Sequence, residues 1–260
     1  MFGTVIIDAY SKEERKEIAD AIEDLCSPID NYGWASAGIY CFWNYYTKEV
    51  LYIGLASDLS DRFRQHNGMK PVSDSSCKFI KIEEYFNSNK KLGYTIFVQS
   101  SLSQPLTYRN KSTYKKFADQ EKSPVEDMLS EQGKDDIKRV EGILIESYRR
   151  RNGKFPPWNE VGGSTSGHRN AMPNNYNIVR SFCYPEDYHR YPIISRSSIR
   201  ELSNNATYAA FENYLHVVRM NVLIHGIDYM EALRLTNAHD TFGWYKRIEE
   251  ERYNLKKLNI

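Results

Sequence analysis

The chain has 260 residues, a formal charge of +1, and 41% hydrophobic and 27% charged residues. That balance fits an ordinary soluble globular protein and excludes a polycation. No run approaches the roughly 20 apolar residues of a membrane span, and the N-terminal apolar run is too short for a signal peptide. The expected setting is therefore soluble and cytoplasmic, and any nucleic-acid contact must rest on local patches. The four cysteines, Cys26, Cys41, Cys77 and Cys183, lack CxxC or Cys/His metal spacing and read as buried free thiols. The 20 tyrosines suit a surface that binds something partly wet.

In chain order, residues 1–8 predict a short strand. A helix follows, with Ser11 and Glu14 as a capping box and Ile18, Ala21, Ile22 and Leu25 as its apolar stripe. Pro28 to Gly33 reads as a loop into a β-hairpin, with strands over Gly38–Tyr45 and Val50–Gly54, both rich in aromatic and β-branched residues. Asp58 and Asp61 suit the start of a helix that Gly68 ends. On that helix Arg62 and His66, four residues apart, share a face. After a polar loop, Lys78–Phe86 and Tyr94–Gln99 are strand candidates. Residues 101–122, made locally basic by Arg109, Lys111, Lys115 and Lys116, read as a loop or insertion.

Ser123-Pro124-Val125-Glu126 is a strong helix start, with Gly133 as the stop. A longer helix runs from Asp135 to about Arg151, and Glu141 lies at its buried side. A carboxylate there needs a partner: an ion pair with Lys138 or Arg62 is one reading, a metal or catalytic role the other. Arg149, Arg150, Arg151 and Lys154 complement the helix dipole or form a phosphate-binding rim. A loop rich in Gly, Ser and Asn, which carries Arg169, runs from Gly162 to about Asn177 and is the best compositional boundary. The rest is helical: Ala206–Ile224 closed by His225-Gly226, a short helix capped by Asp228 and Glu231 that ends near Leu235, and a last helix from Phe242 to Leu258 that Thr241 caps. The final helices match either a helix-turn-helix reader or a bundle of other purpose.

Gly38-Ile39-Tyr40 and Tyr52-Ile53-Gly54 spell both signatures of the GIY-YIG nuclease family, which the chain resembles over roughly residues 36–162. The resemblance extends to Arg62 and His66 on the helix after the hairpin, Glu141 in VEGILIE and Asn159 beyond it. It implies an α+β fold, a small, mainly antiparallel sheet flanked by helices, here with a mostly helical C-terminal region. The resulting division is an extension over 1–35, a nuclease-like domain over 36–162 with an insertion near 101–122, a linker over 163–192 and a helical region over 193–260.

The resemblance also implies divalent-metal-dependent hydrolysis of DNA phosphodiester bonds. Glu141 would be the ligand of one Mg²⁺ or Mn²⁺, a hard cation held largely by water. Arg62 would clamp the phosphate, and Tyr40 or His66 would be the general base. Tyr52 would orient water or phosphate, and Asn159 would contact phosphate or fix the surroundings of Glu141. Arg149, Arg150, Arg151, Lys154, Lys115, Lys116 and Arg169 are the candidate nucleic-acid contacts. The expected partner is duplex DNA, with a homodimer if both strands are cut. A stand-alone chain fits restriction best, with repair, recombination, homing, an RNA-directed nuclease or a catalytically silent DNA-binding protein as alternatives.

Overall fold

The computed structural model describes residues 1–27, 33–71, 77–124 and 132–260. The fold is α+β: one antiparallel four-stranded sheet of strands β1 (Phe2–Tyr10), β2 (Gly38–Asn44), β3 (Val50–Ala56) and β4 (Leu92–Gln99), in the order β1-β4-β2-β3. The hairpin pairs Tyr40 with Gly54 and Phe42 with Tyr52. β1 is hydrogen-bonded to β4 over most of its length, so the N-terminal strand is an integral part of this sheet.

Alternation along the strands feeds two cores. One face carries Tyr10, Tyr40, Phe42, Tyr52 and Tyr94, covered by helices α1 (Arg15–Cys26), α2 (Leu59–His66) and α3 (Phe79–Phe86). The other carries Ile39, Cys41, Trp43 and Ile53 beneath helix α5 (Gln132–Asn152), whose Ile137, Leu144, Ile145 and Tyr148 point inward. The remaining helices are α4 (Lys111–Glu121), α6 (Thr165–Asn170), α7 (Tyr176–Ser181), α8 (Ile199–Asn204), α9 (Ala206–His225), α10 (Tyr229–Asn237) and α11 (Trp244–Glu250). The last three form a third cluster around Phe211, Leu215, Leu233 and Ile248, and α9 also packs on β1.

Several expectations need correction. Lys78–Phe86 is not a strand: Phe79–Phe86 is helical, because Ile82 and the partly buried Tyr85 and Phe86 satisfy a helical stripe as well as an alternating one. Residues 101–122 contain a 3-10 turn and α4 rather than a bare loop. Arg109 is no surface cation. It forks onto Glu23 at 2.7 and 2.9 Å and donates to Asp58 at 2.5 Å, which braces the residue that caps α2. The 163–192 stretch is not a bare linker: it holds α6 and α7, and Val179, Phe182 and Cys183 pack under the sheet.

Gly133 lies inside α5 instead of ending a helix before it. The short helix expected after Ser123 and the loop from Pro28 fall largely on 125–131 and 28–32, outside the described residues. The last helix stops at Glu250, since Arg252 takes the left-handed region (φ 53°) and a 3-10 turn follows. Its N-terminal N–H of Tyr245 is capped by Asp240, not Thr241. Cys26, Cys41 and Cys183 are buried free thiols, while Cys77 is half-buried.

Candidate active site at the outer edge of the sheet

β3 is an edge strand, and its outward main-chain groups need partners. They are met from the far side of the sequence. Trp158 N–H donates to Leu51 O at 2.8 Å. Asn159 brackets Ile53, accepting from its N–H at 2.9 Å through Oδ1 and donating to its C=O at 2.8 Å through Nδ2. One residue pair further, the Leu55 backbone hydrogen-bonds the Glu141 carboxylate. Asn159 therefore closes the edge as a surrogate strand, which supports the reading in which it fixes the surroundings of Glu141.

On the face above this edge, the hairpin and α2 meet. Asp58 caps α2 by accepting from the Asp61 N–H at 2.9 Å, which sets the helix so that Arg62 and His66 both reach one atom. His66 Nε2 lies 2.6 Å from Tyr40 Oη, and Arg62 Nε donates to the same oxygen at 3.2 Å. The other ring nitrogen, His66 Nδ1, accepts the Lys78 backbone N–H at 2.9 Å. A backbone N–H can only donate, so the ring proton sits on Nε2 and His66 donates to Tyr40. The Tyr40 and Tyr52 ring centroids are 5.7 Å apart, with the Tyr40 hydroxyl bonded to that of Tyr52.

Gly54 makes room for the two tilted rings: a Cβ there would lie 2.5 Å from the Tyr52 ring and 2.7 Å from Tyr40 Oη. Gly38 has the same kind of reason, since its Cβ would lie 2.3 Å from Phe97 O on β4. Both signature glycines thus answer to close approach.

The electrostatics are dominated by burial. Tyr40 is 1% exposed and Tyr52 8%. Desolvation holds the Tyr40 phenol well above its ordinary range, the neighbouring Tyr52 adds to this, and Arg62 opposes it. Tyr52 is also raised by burial, partly offset by the hydrogen bond from Tyr40. Glu141 is half-buried, and desolvation pushes its carboxyl up to about 7 against the pull of the Leu55 backbone and of Arg62. The Lys138 ion pair weighed for it is not made: Lys138 Nζ lies 3.7 Å from Asp135.

A carboxyl kept from its charge in this way is suited to a cation. Among the described residues no group of three His, Cys, Asp or Glu side chains gathers. Glu141 is the carboxylate here that could hold a hard cation, with water supplying the remaining ligands.

Tyr40, Tyr52, Arg62, His66, Glu141 and Asn159 thus converge on one end of β3. The basic residues do not. Arg149 and Arg150 clasp the buried Glu146 at 2.7–2.8 Å, and Arg150 also donates to the Ala171 and His168 carbonyls. This pins α6 to α5, a structural use that the sequence does not announce. Arg151 lies over the Tyr176 ring and lines a depression of about 430 Å³ with Arg180. Lys154, Lys115, Lys116 and Arg169 are exposed.

Sequence reasoning missed two participants. Lys78 contacts His66 through its main chain and lies over the Tyr52 ring, and Gln65 accepts from Arg62 at 3.0 Å. Gln65 stands at the i,i+3 helical spacing from Arg62 that allows this contact, whereas nothing in the spacing of Lys78 advertises its part. Comparison with protein-family models, characterised proteins and solved structures gave no match.

Proposed function

We propose that the chain is a metal-dependent endonuclease of the GIY-YIG type, hydrolysing phosphodiester bonds of duplex DNA. The observation that carries this reading is the convergence on Tyr40 Oη: a guanidinium and an imidazole N–H donate to one buried phenol, beside an uncharged-leaning carboxyl that no cationic side chain contacts directly among the described residues. Such a cluster is costly as mere packing and makes sense as machinery.

Tyr40 is the general base. Burial alone pushes its phenol the wrong way, and the donors Arg62 and His66 favour the phenolate. His66, with its proton on Nε2, is a donor that orients Tyr40 rather than a base toward it. Tyr52 is the more exposed residue and accepts the hydrogen bond from Tyr40, so Tyr40 first loses its own proton outward through Tyr52 to solvent. As the phenolate it then takes the proton of the attacking water back along the same path, Tyr52 giving its proton to Tyr40 as it receives that of the water. Arg62 balances the charge that grows on the phosphate. A divalent cation held by Glu141 and water would polarise the phosphate oxygens and assist the leaving oxygen. Asn159 positions Ile53 and, through it, the strand that carries Tyr52 and Gly54. One such site cuts one strand, so a double-strand break takes two copies of the chain.

Nicking of supercoiled plasmid with and without Mg²⁺ tests this reading. Metal-dependent relaxation supports it. Duplex binding without cleavage under any divalent ion would leave only a DNA-binding protein. Preference for single strands or RNA in competition would redirect the substrate.

A further inference from the structure

Lys78 is the unusual cation of the region. Its side chain is 6% exposed, and its ammonium lies 5.3 Å from the centroid of the Tyr52 ring. Its backbone N–H fixes the His66 tautomer. Among the described residues its ion-pair partner is Glu160, at 3.4 Å and with a side chain 72% exposed. A charge-assisted N–H···O bond settles near 2.7–2.9 Å, so this pair is loose. A buried ammonium whose counterion is distant and solvated is poised to exchange it for an anion that can approach more closely. Glu160 follows Asn159, the residue that closes the β3 edge, so the carboxylate is held over the site by the same loop.

We propose that Lys78 is a second phosphate-binding cation of this site, beside Arg62, and that Glu160 occupies it in the free protein as a carboxylate stand-in which the DNA backbone displaces. This rests on the nuclease reading. Glu160 then lowers affinity for DNA, and removing its charge should strengthen binding through Lys78 alone.

The test is a double-mutant cycle read by fluorescence anisotropy of a labelled duplex, in EDTA, across a salt series. Glu160→Gln should tighten binding about fivefold at low salt. Lys78→Met, which keeps the apolar stem, should weaken binding and reduce the slope of log K against log salt by about 1. In the Lys78→Met background, Glu160→Gln should do nothing, because the pair acts as a unit. Glu160→Gln lies on the surface and leaves the fold intact, so it reads out even if Lys78→Met proves unstable. An unchanged or weaker affinity for Glu160→Gln overturns the proposal, as does equal tightening in both backgrounds, which would mean general charge repulsion. If wild type cleaves or binds duplex DNA normally while these outcomes fail, only the role of Lys78 falls. If wild type binds no duplex at all, the nuclease reading falls and takes this one with it.

Discussion

The two edges of the sheet pose one physical problem and solve it differently. At the β1 edge, Val5 bonds the chain on both sides: its N–H donates to Ile193 O and its C=O accepts from Ser195 N–H, each at 2.8 Å. Behind it lies a buried ion pair of Glu212 and Arg219, and nearly every polar arm of the pair is used. Arg219 also donates to Pro192 O, Ile194 O and Thr4, and Glu212 accepts from Tyr253 and the Arg196 N–H. Burial and Arg219 together push the neighbouring His216 down to about 3, so it stays neutral.

At the β3 edge the closure is made by the Trp158 main-chain N–H, a side-chain amide and a carboxyl raised to about 7. One cluster is charged and closed; the other is partly discharged and is the edge proposed to be open to a ligand. Burial of ionisable groups alone does not separate the two edges, and neither does incomplete pairing, since His216 Nε2 is buried at the closed edge without a hydrogen-bond partner among the described residues; the carboxyl held near neutrality does.

Breaking the closed edge should have the largest effect on folding. Arg219→Ala strands the Glu212 carboxylate and should destabilise by about 3–5 kcal/mol in urea unfolding. At the open edge, Tyr40→Phe removes the proposed base but not the ring. Cleavage should fall by about 100-fold or more with the circular dichroism spectrum unchanged, and a smaller loss would move the base elsewhere.

Glu141→Gln separates the edges by sign. With its folded pKa raised above 4.5, Glu141 binds more protons in the native than in the unfolded state between about pH 4.5 and 7. Stability therefore declines as pH rises through that window, and the loss is complete above it. Discounted for partial exposure, the variant should be more stable than wild type by about 2 kcal/mol at pH 8 and equal to it at pH 4. Asn159→Ala should give the smallest effect, about 1–2 kcal/mol, since water can replace part of what the amide does for Ile53. Hydrogen exchange should rise first at the Ile53 amide.

Much of the open edge was legible in the sequence. The hairpin showed as two β-rich runs, α2 through its acidic cap, and Glu141 as a carboxylate on an apolar helical face. The roles that depend on tertiary partners were not legible. FIKIEEYF fits both periods, so α3 read as a strand, and with it went the chance to see Lys78 at its start. Asn159 carries no local hint that both ends of its amide go to Ile53, 106 residues earlier. The arginine run after Glu146 looked like a binding rim, yet two of the three are held by that glutamate. The segment over 163–192 is compositionally a loop, and becomes helical because Val179 and Phe182 are buried against the sheet.

The central claim is that the open edge is a metal-dependent cleavage site built on Glu141. It is tested most directly by the Mg²⁺-dependent cleavage rate of Glu141→Gln against wild type on one duplex substrate, with DNA affinity measured alongside. The account predicts that cleavage is abolished while DNA affinity is largely kept, and that wild-type Mn²⁺ affinity falls about tenfold per pH unit below about 7 as protons compete for the carboxylate. Cleavage by Glu141→Gln at the wild-type rate would contradict it.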